Sequence, residues 1–449
     1  MIRLAFYNFI RSNNVRIGLL FLLLTGVISL FIGKQFVEKQ KQDIIDTSIY
    51  QKEFIEHYVE FKKDDLGLLL YYLKFALVNE TLPISGLSIG QRDVNPQIKS
   101  VTIRGLEGQK HDTDLNNPNN LLLGNLDFSF VLIFLFPLLI IAFTFNIISE
   151  EKESGTWRIV SVQSKSLSKL ILQLFSIRLV LILTVLLLIL FLAIPILDIP
   201  LNVKFGAFSA ISIGYILVWF GICFWVVSLQ KNSSFNAVVL LSVWILLIIV
   251  LPAAVNNYLT NKYPVPEALE MTLEQRKGYH EKWDKPKEAT MDKFFAHYPQ
   301  YEKYPVPEDS FSWLWYYAMQ QMGDDESLDS NREMKEKIAL RQKESAAISL
   351  VIPTMHAQLT LNQVAHTDLG NNMQFLNNLD AFHENLRLYF YPKIFEGHPV
   401  ENEDWSKFTP EYASMSQPVN WKKSLLPLLF ATLLLSVMGL LNIRKIRRL

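Results

Sequence analysis

Two groups of residues in this chain have types and spacings that could do chemistry. The first is 149-SEEKESGTWRIVSVQSKSLSKL-170. It packs Glu150, Glu151, Lys152 and Glu153 in front of Gly155, Thr156, Trp157 and Arg158, with Lys165 and Lys169 beyond. A helix ending in acidic side chains cannot re-enter hydrocarbon, Gly155 permits a sharp change of backbone direction, and Thr156 can cap a short helix. Such a connector presents a charged surface to a partner. The second group is soft: Met319 and Met322, Met355 next to His356, and His366. Thioether and imidazole ligands suit copper. These residues are scattered and form no tight motif, so packed or exposed Met and His is the preferred reading, with metal handling as an alternative.

What is missing bounds the chemistry further. The chain has no GxxxxGK[ST] phosphate-cradling loop and no HExxH, since His383-Glu384 lacks the second histidine. No GxSxG elbow supports a serine nucleophile. The sequence therefore predicts no enzyme and no cofactor held by this chain.

The elements that position these residues are membrane spans. Of 449 residues, 50% are hydrophobic and only 19% charged, and basic and acidic residues balance at 43 each, which gives no basis for a nucleic-acid partner. Crossing about 30 Å of hydrocarbon takes about 20 apolar residues. Six segments qualify: 17–33, 128–148, 171–197, 208–228, 236–255 and 424–442. Their interiors carry almost no ionisable groups, whereas ion-driven transporters place such groups at mid-membrane. Energy must then arrive from outside the membrane part.

Basic residues set the expected orientation. Arg3, Arg11 and Arg16 precede the first span; Lys152, Arg158, Lys165, Lys169 and Arg178 lie in or beside the charged connector; Lys231 falls between spans four and five; Arg444, Lys445, Arg447 and Arg448 end the chain. With six spans all four groups share one side, so both termini are expected to be cytoplasmic. The expected fold class is an all-α polytopic membrane protein with two mainly helical outer domains, 34–127 and 256–423. Residues 1–16 read as an amphipathic interface helix, 149–170 as the cytoplasmic connector and 443–449 as a basic tail. The lone Cys223 permits no intramolecular disulfide.

Within the first insert, residues 34–79 read as helical, with Ile45, Ile49, Phe54, Ile55 and Tyr58 spaced for a packed face. A short strand is expected at 100–103. In the second insert, Ser330 and Glu333 form a capping-box pattern opening a helix. A stripe of Leu369, Met373, Leu376, Leu379, Phe382, Leu386, Phe390 and Ile394 predicts a helix over 369–395.

The connector also carries a resemblance. SEEKESGTWRIVSVQS resembles the E-x-E-x-G-T-L-x-L-L-x-S signature that follows the second span of type-2 ABC exporter permeases, with Glu151, Glu153, Gly155 and Thr156 at the matching positions and Arg158, Ile159 and Val160 following. Trp157 stands where leucine is usual, and Ser164 where proline is frequent. The stretches 87-LSIGQRDVNP-96, 117-NPNNLLLGNLDFSFV-131 and 363-QVAHTDLGNNMQFLNNLDAFHENLRLYF-390 look like a subgroup of these permeases with large outer domains and no assigned substrate. The resemblance implies a bacterial inner-membrane permease subunit, paired with an identical or related permease and surrounded by lipid. It implies docking to cytoplasmic ABC ATPase subunits, which hold the ATP and Mg, through Glu150, Glu151, Glu153, Gly155, Thr156, Trp157 and Arg158. A mechanical device acting on a periplasmic partner, and a copper-handling permease, are the alternatives.

Overall fold

The computed structural model describes residues 2–110, 125–157, 166–266, 273, 281, 283, 286–306, 311–415 and 418–446. Among them, six helices are long and apolar enough to cross a membrane: Asn13–Phe61, Phe128–Glu153, Ser168–Leu197, Val203–Ser228, Ser233–Lys262 and Trp421–Ile443.

Helix α1 (Ile2–Arg11) is separated from α2 (Asn13–Phe61) by Ser12, whose extended backbone breaks the run. The 49 residues of α2 make a rod about 74 Å long at about 1.5 Å per residue, more than twice the apolar thickness of a bilayer. It ends with Lys62, and Asp65 caps α3 (Leu66–Tyr72) by accepting from Leu68 N at 3.0 Å. Then come β1 (Phe75–Val78), β2 (Ile98–Val101) and α4 (Leu106–Lys110).

The second apolar helix is broken twice. A first turn, Phe128–Phe130, widens into a π turn at Val131–Leu135 before α5 (Phe136–Thr144), and the chain unwinds before α6 (Ser149–Glu153). Helices α7 (Leu167–Leu197) and α8 (Val203–Ser228) are continuous. The fifth apolar helix is α9 (Ser233–Ile245), a π turn at Leu246–Val250, and α10 (Leu251–Lys262). Helix α8 is the centre of the bundle, with 78% of its apolar window buried against 17% for the fifth and sixth helices. Phe208, Ile211, Tyr215, Trp219 and Cys223 along it are all inside.

The remaining helices are α11 (Lys287–His297), α12 (Trp313–Glu326), α13 (Leu328–Ser349), α14 (Pro353–Ala365) and α15 (Leu369–Phe395), followed by β3 (Glu411–Tyr412) and α16 (Trp421–Ile446). Most of them join α3 and β1–β2 in one polar lobe. Its core mixes both inserts, with Ile55, Leu69, Phe75 and Val101 packed among Phe294, Tyr317, Phe375, Phe390 and Tyr391. The sheet has the order β2-β1-β3: β1 pairs antiparallel with β2 (Phe75 opposite Val101) and parallel with β3 (Leu77 opposite Glu411).

Several local expectations need correction. Residues 34–79 are not all helix. Phe75–Val78 forms a strand buried on both faces between two others, and so short an apolar run carries no periodicity to separate strand from helix. The strand expected at 100–103 is Ile98–Val101. Ile45 and Ile49 are 53% exposed each, because the covered face of this part of α2 is the one that carries the buried Gln40, Gln51 and Ile55, and they lie off it. Ser330 does not start a helix: α13 begins at Leu328, with Ser327 before it. The helix expected over 369–395 is α15; of its stripe, Leu379, Phe382, Leu386, Phe390 and Ile394 are buried, whereas Asn371 and Phe375 are buried near its start in place of Leu369, Met373 and Leu376.

Helix α2 and the 3-10 turn Pro83–Leu87 approach backbone to backbone. A Cβ at Gly33 would lie 1.9 Å from the Gly86 carbonyl oxygen, so the two segments can meet this closely only through glycine. Gly33→Ala is expected to destabilise by about 1–3 kcal/mol, the usual cost of overpacking, read as a lower melting temperature. Gly206→Ala, inside α8 where the nearest atom is 3.9 Å away, serves as a control that does not lower melting and stabilises by up to about 1 kcal/mol through helix preference.

Candidate functional site

The acidic connector is built on the second break of the second helix. Unwinding after Thr144 frees carbonyls inside the bundle. Arg178 Nε of α7 donates to Phe143 O (2.6 Å), and Asn236 Nδ2 of α9 donates to Phe145 O (2.9 Å). Phe9 of α1 meets the Phe143 ring edge-on at 5.6 Å and lies under the Arg178 guanidinium at 4.5 Å. Helices α1, α5, α7 and α9 thus converge where the charged turn begins.

Each acidic side chain there has a distinct partner. Glu150 accepts from Asn146 Nδ2 at 2.6 Å. Glu151 accepts the Thr156 hydroxyl through its carboxylate, and its carbonyl lies 3.2 Å from the same oxygen. Glu153 reaches across to the loop between α8 and α9, where it accepts from Ser233 N (2.7 Å) and Ser233 Oγ (2.9 Å). Ser233 Oγ also sits 2.7 Å from Ser149 Oγ. Glu153 therefore satisfies an N–H at the start of α9, where a negative charge also suits the helix dipole. Lys152 Nζ donates to Gln230 Oε1 (2.7 Å) and lies 5.5 Å from the Trp157 ring. Gly155 adopts φ +76° in open space, the left-handed backbone expected for a sharp change of direction.

Thr156 turns its hydroxyl back to Glu151. The helix it was expected to cap, with Arg158, Lys165 and Ser164, falls in 158–165, outside the described residues. The structure thus joins Glu150, Glu151, Glu153, Gly155, Thr156 and Trp157 in one turn. It adds three residues that sequence reasoning missed: Gln230, Ser233 and Asn236. The signal for them was weak, a short polar loop holding Asn232 and two serines between apolar runs.

A second constellation lies at the opposite end of the bundle; of its members the sequence singled out only His356 and His366, and those for a different role. Helix α14 lies across the ends of several apolar helices, with Ala357, Leu361 and Val364 in the bundle core. Thr354 Oγ1 donates to Leu247 O in the π turn of the fifth helix (2.5 Å), and Gln358 Nε2 to Ser129 Oγ of the second (3.3 Å). His356 Nε2 donates to Ser424 O of α16 (3.0 Å), and His366 Nε2 lies 2.9 Å from Lys204 Nζ of α8. The turn at 83–93 locks onto this helix: Ser85 Oγ donates to Ala365 O (2.8 Å) and Ser88 Oγ to Asn362 Oδ1 (2.6 Å). Asp127 closes the ring, accepting from Ile89 N (2.7 Å), Phe130 N (2.8 Å) and Ser129 Oγ (2.8 Å).

The soft residues are divided between these regions. Met319 and Met322 are buried in the lobe's aromatic core, whereas Met355, His356 and His366 belong to α14 and its end. The Nε2 atoms of His356 and His366 each have a neighbour from an apolar helix, so the five do not form one cluster.

A family model described as "Domain of unknown function (DUF3526)" matches residues 268–413, less than half of the chain. No curated protein and no solved structure matches. The matched stretch contains α14 and α15, and so one wall of the ring around Asp127.

Burial of Asp127 outweighs its three donors and pushes its carboxyl up to about 6, against about 3.9 in an unfolded chain. The folded state favours the protonated acid. The resulting stabilisation is complete below about pH 3.9 and is lost as pH rises through about 6, a swing of about 3 kcal/mol. Melting of the wild type minus that of Asp127→Asn should decline across this window. A difference that does not change with pH would refute the assignment.

Proposed function

We propose that this chain is the membrane-spanning permease subunit of an ATP-driven ABC transporter, working as an exporter in a bacterial inner membrane with both termini cytoplasmic. The observation that carries this reading is the bonding of the acidic turn 149–157 to the junction of the fourth and fifth helices, through Glu153 to Ser233 at the start of α9 and Lys152 to Gln230 in the loop before it. A force received by such a turn acts on two apolar helices at once. The resemblance of 149–164 to the coupling element of type-2 exporter permeases supports the same assignment. ATP and Mg belong to separate ATPase subunits, since this chain has no phosphate-cradling sequence of its own. The low burial of the fifth and sixth helices leaves apolar sides for a second permease subunit and for lipid. ATP can shift the permease between states only through differential affinity of the assembly for the two.

Charge reversal at Glu151, or Gly155→Val, which forces a branched side chain into left-handed backbone at about 1–2 kcal/mol or more, is expected to abolish ATP turnover coupled to transport. Glu153→Ala should do the same by releasing Ser233, and all three variants should still insert in the membrane. Coupled turnover at wild-type level in all three, or gentle purification that never recovers an ATPase subunit, would sink the reading.

A second reading is favoured by α2: the same complex acts mechanically on a periplasmic partner, without passing substrate through the membrane. One unbroken helix joins the bundle to the lobe, as a lever requires. Spin labels at Glu56 in the two paired subunits should change separation when the ATPase binds ATP. Ile45→Pro, which interrupts the rod between bundle and lobe, should remove that change while ATP turnover persists. A rod that transmits equally well with the proline in place would rule the lever out.

A further inference from the structure

The most exposed large apolar side chain among the described residues is Val351, 80% open at the corner between α13 and α14, with Leu350 beside it at 51%. The sequence changes character there. Helix α13 is dense in charge up to Glu344, yet from Ser345 to Thr367 no Asp, Glu, Lys or Arg occurs. A turn in water is built from Gly, Pro, Asn, Asp and Ser, and this one reads Leu350-Val351-Ile352-Pro353.

Contacts with two apolar helices give the depth of the corner. Thr354 Oγ1 donates to Leu247 O. At about 1.5 Å per residue, Leu247 lies about 21 Å along the fifth helix from Ser233 at the acidic-turn end, inside an apolar layer about 30 Å thick. Lys262, which pairs with Glu344 of α13, lies about 22 Å further along and so beyond that layer. Helix α13 therefore descends from Glu344 toward the layer, and Leu350 and Val351 fall between the two levels. On the other side of the corner, His356 Nε2 donates to Ser424 O, next to Trp421, Lys422 and Lys423 in the first turn of α16. Trp and Lys are residue types that favour the headgroup level.

The backbone of the corner closes on itself. Leu350 N, Val351 N and Ile352 N donate to Ala347 O, Ile348 O and Ser349 O at 3.3, 3.2 and 3.0 Å, and His356 N donates to Ile352 O at 3.0 Å. Pro353 has no N–H to satisfy, and Ser349 Oγ donates to Ala346 O at 2.7 Å. Open N–H groups are what bars a turn from hydrocarbon, and these are met.

We propose that the α13–α14 corner is a lipid anchor, with Leu350 and Val351 inserted at the headgroup–acyl boundary of the leaflet on the lobe side. The occupant is lipid because Thr354 fastens the corner to the turn of the fifth helix where Ile245, Leu246, Ile249 and Val250 are 44–50% exposed. Corner and helix thus share one apolar border. The inference rests on the bundle crossing a membrane, and not on transport or on an ATPase. The anchor sets the height of this edge of the lobe independently of α2.

The test uses full-length protein in vesicles of phosphatidylcholine and phosphatidylglycerol, with acyl-brominated lipid as quencher. A fluorophore is attached through Val351→Cys. Leu433→Cys in α16 (64% exposed) is the membrane reference, and Leu340→Cys in α13 (42% exposed) is the lobe reference. Wild type, whose single Cys223 is buried, is the blank. Brominated lipid should remove most emission at Val351 and Leu433 and leave Leu340 unchanged. If Leu433 is quenched and Val351 is not, the anchor is refuted while the spans stand. A disulfide forming readily between two copies of the Val351→Cys variant would place a second subunit on the corner and refute it too. If neither Val351 nor Leu433 is quenched, the membrane bundle falls and the anchor with it. In lipid nanodiscs, Val351→Asp should melt below wild type and Leu340→Asp should not; equal melting of the two variants would also overturn the anchor.

Discussion

A carbonyl freed inside an apolar bundle has no water to turn to, and leaving it unpaired costs several kcal/mol in hydrocarbon. The second and fifth apolar helices create five such carbonyls at or beside their breaks. Each is met by a side chain from another element: Ile133 O by Tyr215, Phe134 O by Trp244, Phe143 O by Arg178, Phe145 O by Asn236, and Leu247 O by Thr354. These bonds set much of the arrangement of the molecule. They hold α8 and α9 against the second helix, bring α7 and α1 to the acidic turn, and seat α14 at the far end. π turns recur at functional positions, and here both lie where other elements grip the bundle.

The two ends of the bundle are therefore connected through one set of contacts. Glu153 and Asn236 attach the acidic turn and its preceding break to α9. The same helix continues into the π turn that Thr354 holds. In the permease reading, tilting α9 from its basal end would change the fit of α14 at the other. Packing inside the bundle is close, with Tyr215, Trp219 and Cys223 almost wholly enclosed, and close-packed interiors shift between discrete arrangements more readily than they deform.

How much of this was legible in the sequence depends on the range of each interaction. The six apolar helices declare themselves by composition, and α15 by a stripe that coincides with its buried face from Leu379 onward. Gly155 and the glutamates stood out because acidic residues beside an apolar run are locally conspicuous. Their partners did not: Ser233 lies 80 positions from Glu153, in a loop with no pattern of its own. Ser85 and Ala365 are 280 positions apart, and no periodicity links them. Ile45 and Ile49 misled for the opposite reason. Their spacing is that of a packed face, but the face of α2 that is covered carries the polar Gln40 and Gln51, whose partners Thr81, Ala76 and Phe408 lie far along the chain. Phe75–Val78 needed knowledge of both neighbouring strands before its extended form could be read.

The attachments of the lobe to the bundle differ in stiffness. Helix α2 enters through continuous backbone hydrogen bonds, so bending it requires breaking several at once. Helix α10 meets α13 through Lys262–Glu344 (2.6 Å) and through Arg341 donating to Tyr263 O (2.8 Å), with Lys262 largely in solvent. A surface ion pair of that kind contributes little, because water screens it. After β3, residues 413–415 and 418–420 lie in neither helix nor strand before α16. Within the lobe, by contrast, the Arg387–Asp324 and Lys110–Glu107 pairs are buried and hydrogen-bonded, and breaking one such pair costs about 3–5 kcal/mol. In the mechanical reading, a displacement passed along α2 would therefore meet less resistance at the α10–α13 ion pair than at the buried pairs inside the lobe.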